Sequence, residues 1–149
     1  FPALGEVVYA AKGLGAWWQI GENHRRPARA SDVRKMDEAV FCTTTIQGWR
    51  RVGRQSAFDK LCDSAAISRG WGDCYGHILV ATGRADLMVD PLLNPWDCAA
   101  LVPIMQEAGG HFVDFNGDVT IHSNNGLSVN GHLRDAALKI LQTPEDQAD

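Results

Sequence analysis

Two consecutive stretches constrain the fold of this chain more than any others. Residues 66–83, AISRGWGDCYGHILVATG, run from a short apolar strand through a glycine turn into a helix. Residues 85–110, ADLMVDPLLNPWDCAALVPIMQEAGG, repeat that order with a Pro- and Asn-containing turn. Strands that alternate with helices bury their faces by stacking in layers, so the pattern predicts a mixed α/β layer domain. Each unit also places an acid where its helix begins, Asp73 in the first and Asp97 in the second. A third acid, Asp90, ends the strand ADLMVD directly before Pro91.

The flanking segments extend the pattern. GEVVYAA (5–11) and KGLGAWWQIG (12–21) read as two strands around a glycine turn. Residues 22–38 are polar and charged, which predicts a solvated loop with a short strand near Pro27 and a helical turn after Ser31. AVFCTTT (39–45) is a strand by its β-branched content. SAFDKLCDSA (56–65) places Phe58, Leu61, Cys62 and Ala65 at helical spacing, with Ser56 as its cap. In the helix over 73–83, Asp73 opens, Gly83 closes, and Tyr75, Ile78, Leu79 and Thr82 share a face. Pro103 predicts a kink or an early first turn in the helix over 96–110, and Trp96 is assigned to the core. HFVDF (111–115) and GLSVNG (126–131) are strands, with an NGD turn after the first. HLRDAALKILQ (132–142) closes the fold as a helix started near His132, and the tail from Thr143 frays. The chain lacks an initiator Met and starts abruptly on an apolar pair, which reads as a fragment or a processed piece. A sheet that begins at residue 1 is then expected to lack strands on one side.

Composition excludes some functions. Hydrophobic residues make up 45% of the 149, enough for the core of one domain. The net charge of −4 argues against nucleic-acid binding through a basic surface, yet leaves small anionic substrates open. No apolar run approaches the length of a membrane span, and no secretory leader opens the chain. Cys42, Cys62, Cys74 and Cys98 lack the spacing of a metal knuckle, so they read as reduced, packed thiols of a cytoplasmic protein. His77 falls on a helix face, and no histidine is assigned to catalysis. Neither a Walker loop nor a nucleophile elbow is present.

What remains is the chemistry of the two helix starts. Unpaired backbone N–H groups and the positive end of the helix dipole suit a phosphate, and glycines let it approach the backbone. If both starts lie at one sheet edge, they occupy the usual ligand crevice of an open α/β sheet. A carboxylate beside a phosphate is repelled unless a cation lies between them, and Mg²⁺ accepts oxygen from both. Asp97 is therefore a candidate metal ligand, with plain helix capping as the alternative. Asp73 shares the capping alternative, and Asp90 reads equally well as a strand-end turn residue.

WDCAALVPIMQEAGG resembles the C-terminal signature of the inositol monophosphatase family. RGWGDCYGHILVATGRADLMVDP, NNGLSVNGHLRDAALKIL and PALGEVVYAAKGLGAW are similar to that family's glycine turn and helix, its closing strand and helix, and its hairpin. The acid in RGWGDCYGH looks most like the histidinol-phosphatase branch. The resemblance implies a layered α/β/α/β fold, with residues 1–66 the remainder of an N-terminal sheet region and 67–149 a C-terminal α/β subdomain. It implies Mg²⁺-dependent hydrolysis of a small phosphorylated metabolite, most of all histidinol phosphate in histidine biosynthesis. It makes Asp97 a metal ligand and catalytic residue, makes Asp90 a substrate contact, and places Gly72 and Asp73 at the substrate. It also implies a homodimer for the intact protein. Asp73 would pair with the amine or imidazolium of histidinol phosphate. The family's other metal ligands, a Glu and an Asp-Pro-x-Asp-Gly-Thr segment, precede the hairpin and are not found in this sequence. The N-terminal metal-binding part is thus expected to be missing, and the chain to have negligible activity alone. An inositol- or sugar-phosphate phosphatase, or a non-catalytic ligand-binding or interaction module, are the competing readings.

Overall fold

The computed structural model describes residues 1–22 and 24–143. The frayed tail expected over 143–149 falls, beyond Thr143, outside the described residues. Strands β1 (Glu6–Ala10) and β2 (Ala16–Ile20) form the expected hairpin. The strand foreseen near Pro27 is β3 (His24–Pro27), antiparallel to β2. As an edge strand it tolerates a residue without an N–H. Alternation along β2 buries Ala16 and Trp18. The charges of this segment are not all simply solvated. The Arg25 and Arg26 guanidinium carbons each lie 3.8 Å from a ring centroid, of Trp17 and Trp18 respectively.

A second sheet contains β4 (Val40–Thr43), β5 (Ile67–Gly70), β6 (Leu87–Asp90), β7 (Gly110–Val113) and β8 (Gly126–Asn130), in the order β5-β4-β6-β8-β7. Strand β4 runs parallel to both β5 and β6, while β8 is antiparallel to β6 and β7. Helices α1 (Ile46–Arg51) and α2 (Gln55–Ser64) connect β4 to β5, and α3 (Asp73–Ala81) connects β5 to β6. Because β5 and β6 flank β4 on opposite sides, crossovers of one hand place these connections on opposite faces.

The two cores show this division. Phe41, Leu87, Val89 and Leu127 cluster with Trp49 of α1, Leu61 of α2 and Leu138 of α6 (Arg134–Leu141). Cys42, Met88 and Phe112 cluster with Ile78 of α3, Met105 of α5 (Leu101–Glu107) and Trp18 of the small sheet. The molecule is therefore layered as small sheet, helices, large sheet, helices. Strands β6 and β8, in the middle, are buried along their whole length. Among the described residues no helix is long and apolar enough to cross a membrane.

Several local expectations need correction. The strand over 39–45 ends at Thr43, and α1 follows with its Trp49 fully buried. The Trp49 indole donates to Thr43 Oγ1 at 3.0 Å. Helix α2 starts at Gln55 with Arg54 at the N-cap position, so Ser56 is not its cap. The turn expected after Ser31 is a 3₁₀ turn over Met36–Glu38. The helix over 96–110 is two helices, α4 (Pro95–Cys98) and α5. Pro103 is the third residue of α5, where a missing N–H costs little, and the interruption falls at Ala99–Ala100. Trp96 is 77% exposed, not core, because α4 is a single turn that turns it outward. The last helix starts at Arg134 with Leu133 at its N-cap position, so His132 does not start it; in the turn before it Asn130 Oδ1 accepts from the His132 and Leu133 amides. Gly83 closes α3 as expected, with φ at +71° and no room for a Cβ, which would sit 2.9 Å from the Arg29 carbonyl oxygen.

Candidate functional site

The C-terminal ends of β5, β4 and β6 emerge side by side. After β5 come Gly70 to Gly72 and the start of α3; after β4 comes Thr44; β6 ends in Asp90. The helices leave these strands on opposite faces, so a crevice opens between them, as at other switch points of α/β sheets. A cleft of about 290 Å³ lies there, and its lining includes Thr44, Arg51, Asp73, Cys74, Asp90 and Asp97. The structure thus brings Asp73, Asp90 and Asp97 to one cleft, with Arg51 as the basic residue among its lining. Gly72 is exposed beside it as the N-cap residue of α3.

Asp90 is only 2% exposed. Burying a carboxylate is costly unless it is hydrogen-bonded, and Thr44 supplies that. The Thr44 amide donates to Oδ1 and its hydroxyl to Oδ2, both at 2.8 Å. The same hydroxyl oxygen accepts from the Asp73 amide at 3.1 Å. Thr44 therefore joins the loops after all three strands. Asp73 itself does not cap α3: Gly72 holds that position, and Thr44 receives the orphan amide from outside the helix. Asp73 has φ of +50°, uncommon for a residue with a Cβ, and such backbone strain clusters at ligand sites.

Asp97 is the third residue of α4, not its cap. The cap is Asn94, whose amide N–H and side-chain Nδ2 both donate to Asp97 Oδ2, at 3.0 and 3.2 Å. This is the reciprocal half of a capping box. Among the described hydrogen bonds none reaches Oδ1, so the capping box leaves one oxygen of the carboxylate open.

No group of three or more His, Cys, Asp or Glu side chains could hold a metal ion among the described residues. Mg²⁺, however, is commonly bound through one or two carboxylates with water and substrate phosphate filling its shell. A half-exposed carboxylate oxygen beside helix N-termini fits one contributed ligand of such a shell, not a complete protein cage.

Two residues of the site escaped the sequence reading. Thr44 carried a faint signal, as a hydroxyl residue just past an apolar strand. His77 carried none beyond its helical spacing. It is fully buried, with Nδ1 at 2.8 Å from Ser128 Oγ and Nε2 at 3.4 Å from Asp90 Oδ2. That second contact is too long for a full hydrogen bond, and among the described residues Nε2 has no other partner. An unsatisfied buried donor costs about 1–3 kcal/mol, so an imidazole here needs a reason. The thiols are inert by contrast. Burial pushes Cys42 and Cys98 up to about 11, and burial followed by the Asp97 and Asp73 charges raises Cys74 in the cleft.

The chain matches the model of the inositol monophosphatase family over residues 1–145. It is 39% identical to a histidinol-phosphatase of Chlorobaculum parvum over 127 residues, 85% of this chain and 47% of that protein. It is 34% identical to a histidinol-phosphatase of Streptomyces coelicolor over 140 residues, 94% of this chain and 53% of that one. Its structure is similar to that of a Thermotoga maritima IMPase, with a TM-score of 0.80, 30% identity, and coverage of 94% of this chain and 52% of the other. The chain spans about half the length of the curated relatives it matches. Fold, signature and relatives agree, and the chain belongs to the inositol monophosphatase family.

Proposed function

We propose that this chain supplies the substrate-facing wall of a Mg²⁺-dependent phosphatase that converts histidinol phosphate to histidinol and phosphate. The observation that carries this reading is the meeting of Asp73, Asp90 and Asp97 in one cleft at the ends of parallel strands. The similarity to histidinol-phosphatases supports the choice of substrate. Inositol phosphates carry no cationic group, whereas histidinol phosphate offers an amine and an imidazole to these acids.

Asp97 would hold the metal with the oxygen that the capping box leaves open, while Oδ2 keeps its bonds to Asn94. Bound Mg²⁺ supplies neutralisation of phosphate charge and activation of water. Asp90, fixed by Thr44, accepts from a donor on the organic part of the substrate. Asp73, exposed at the rim, attracts its cationic end. The Glu and Asp-Pro-x-Asp-Gly-Thr segment that the resemblance calls for is not found in this sequence, so the 149-residue chain by itself is expected to show negligible turnover.

The test is a substrate panel on a protein that contains this chain together with the Glu and Asp-Pro-x-Asp-Gly-Thr segment. Histidinol phosphate should be preferred over inositol phosphate, and EDTA should abolish turnover. Asp73→Asn should reduce that preference by about tenfold, the worth of one charge-assisted contact. Equal rates on both substrates, EDTA-resistant turnover, or brisk activity of the 149-residue chain would each overturn the reading.

A further inference from the structure

Beneath the cleft a polar line runs from Asp90 at the end of β6 to His77 on α3 and Ser128 on β8, and the proposed reaction uses only its Asp90 end. The members are in contact order, 2.8 Å from Ser128 Oγ to His77 Nδ1 and 3.4 Å from His77 Nε2 to Asp90 Oδ2. Ser128 and His77 are completely buried, so neither meets substrate, and the serine is no nucleophile. The ring lies against Phe112, centroids 5.8 Å apart, in a core that would accept an apolar side chain. A hydroxyl that donates to Nδ1 leaves the ring proton on Nε2, aimed at the carboxylate.

We propose that His77 is a positioning residue for Asp90, holding the carboxylate from beneath so that one oxygen is left to the substrate. A carboxylate has about four lone-pair sites. Thr44 fills one on each oxygen, and His77 Nε2 faces the second site of Oδ2 from 3.4 Å. The remaining site belongs to Oδ1. The carboxylate then presents a single acceptor in a fixed direction, and its selectivity for a substrate donor depends on a histidine that never touches the substrate. The 3.4 Å gap shortens when a ligand draws on Oδ1 and the carboxylate settles between its donors. This inference rests on the reading of Asp90 as a substrate contact.

Two measurements test it. The first uses the 149-residue chain and needs no activity: a long-range ¹H–¹⁵N spectrum with labelled histidine. His77 should show its proton on Nε2, and Ser128→Ala should disturb that pattern. A proton on Nδ1 overturns the proposal. The second uses the longer enzyme on histidinol phosphate. His77→Phe should raise KM by about tenfold with kcat and inhibition by inorganic phosphate little changed, and His77→Gln, which keeps a donor, should recover most of the loss. In an Asp90→Asn background His77→Phe should add almost nothing, since the two act as a unit. Loss of kcat or of phosphate affinity in step with KM, or full additivity with Asp90→Asn, overturns the proposal. If Asp90→Asn alone leaves KM unchanged, Asp90 is not a substrate contact, and the proposal falls with that assignment. Ser128→Ala covers the case in which His77→Phe does not fold. It should raise KM by about threefold, less than His77→Phe, and no change in KM counts against the proposal.

Discussion

Asp97 uses one oxygen for the capping box and leaves the other open, which makes its proposed metal role testable. In Asp97→Asn the amide oxygen keeps the bond from the Asn94 amide, so stability should change by less than about 1 kcal/mol. Turnover of the longer enzyme should fall by about a hundredfold or more, because a neutral amide is a poor Mg²⁺ ligand. Thermal melts and steady-state rates on one preparation read both. A large loss of stability with activity spared would mean that the residue is a cap and nothing else. At this scale, what was legible followed from local punctuation. Asp73, Asp90 and Asp97 stand out because glycine and proline turns mark where helices start and strands stop. Thr44 and His77 were not legible because their partners are distant: Thr44 meets Asp90 across 46 positions and His77 meets Ser128 across 51.

Between elements, the small sheet is fastened to α3 by a cluster around Glu6. Glu6 is buried at 7% exposure and accepts from Tyr75 Oη at 2.7 Å and from Arg84. Arg84 also donates to Tyr75 Oη and stacks 4.2 Å from the Trp18 ring. Burial alone would raise the Glu6 carboxyl, but the Tyr75 and Arg84 bonds outweigh it and hold it below the ordinary carboxylate range. A depressed carboxyl contributes stability that is present above its unfolded value, near 4.5, and lost as pH falls through the folded one. Glu6→Gln should therefore cost about 1–2 kcal/mol at pH 7 and flatten the decline in stability on acidification, read by urea unfolding across pH. An unchanged slope would show that the cluster is not an acid-sensitive fastening. The strands of the hairpin were legible from alternation, as was α3. The single turn α4 and the short α1 were not, since two turns or fewer carry too little periodicity.

Over the whole molecule, strand–helix alternation foretold layering, and the four layers are present. The strand order β5-β4-β6-β8-β7 was not foretold, because period and propensity do not say which strands pair. The core between the large and small sheets encloses both Cys42 and Cys98, while Cys62 and Cys74 are half-buried. Burial raises all four thiols, so iodoacetamide at pH 7 should label them slowly, at rates that follow opening of the fold when urea is added. Fast labelling of Cys74 in the native chain would contradict the raised thiol in the cleft. The joining of three loops by one threonine hydroxyl has a consequence for which side chains can vary independently. The loop bearing Gly72 and Asp73 is exposed and touches Thr44 through its main chain, at the Asp73 amide, whereas Asp90 depends on Thr44 directly. A residue at position 73 that has an amide N–H and tolerates the positive φ can keep that main-chain contact. The side chain at the rim can therefore change while the inner carboxylate keeps its support from Thr44.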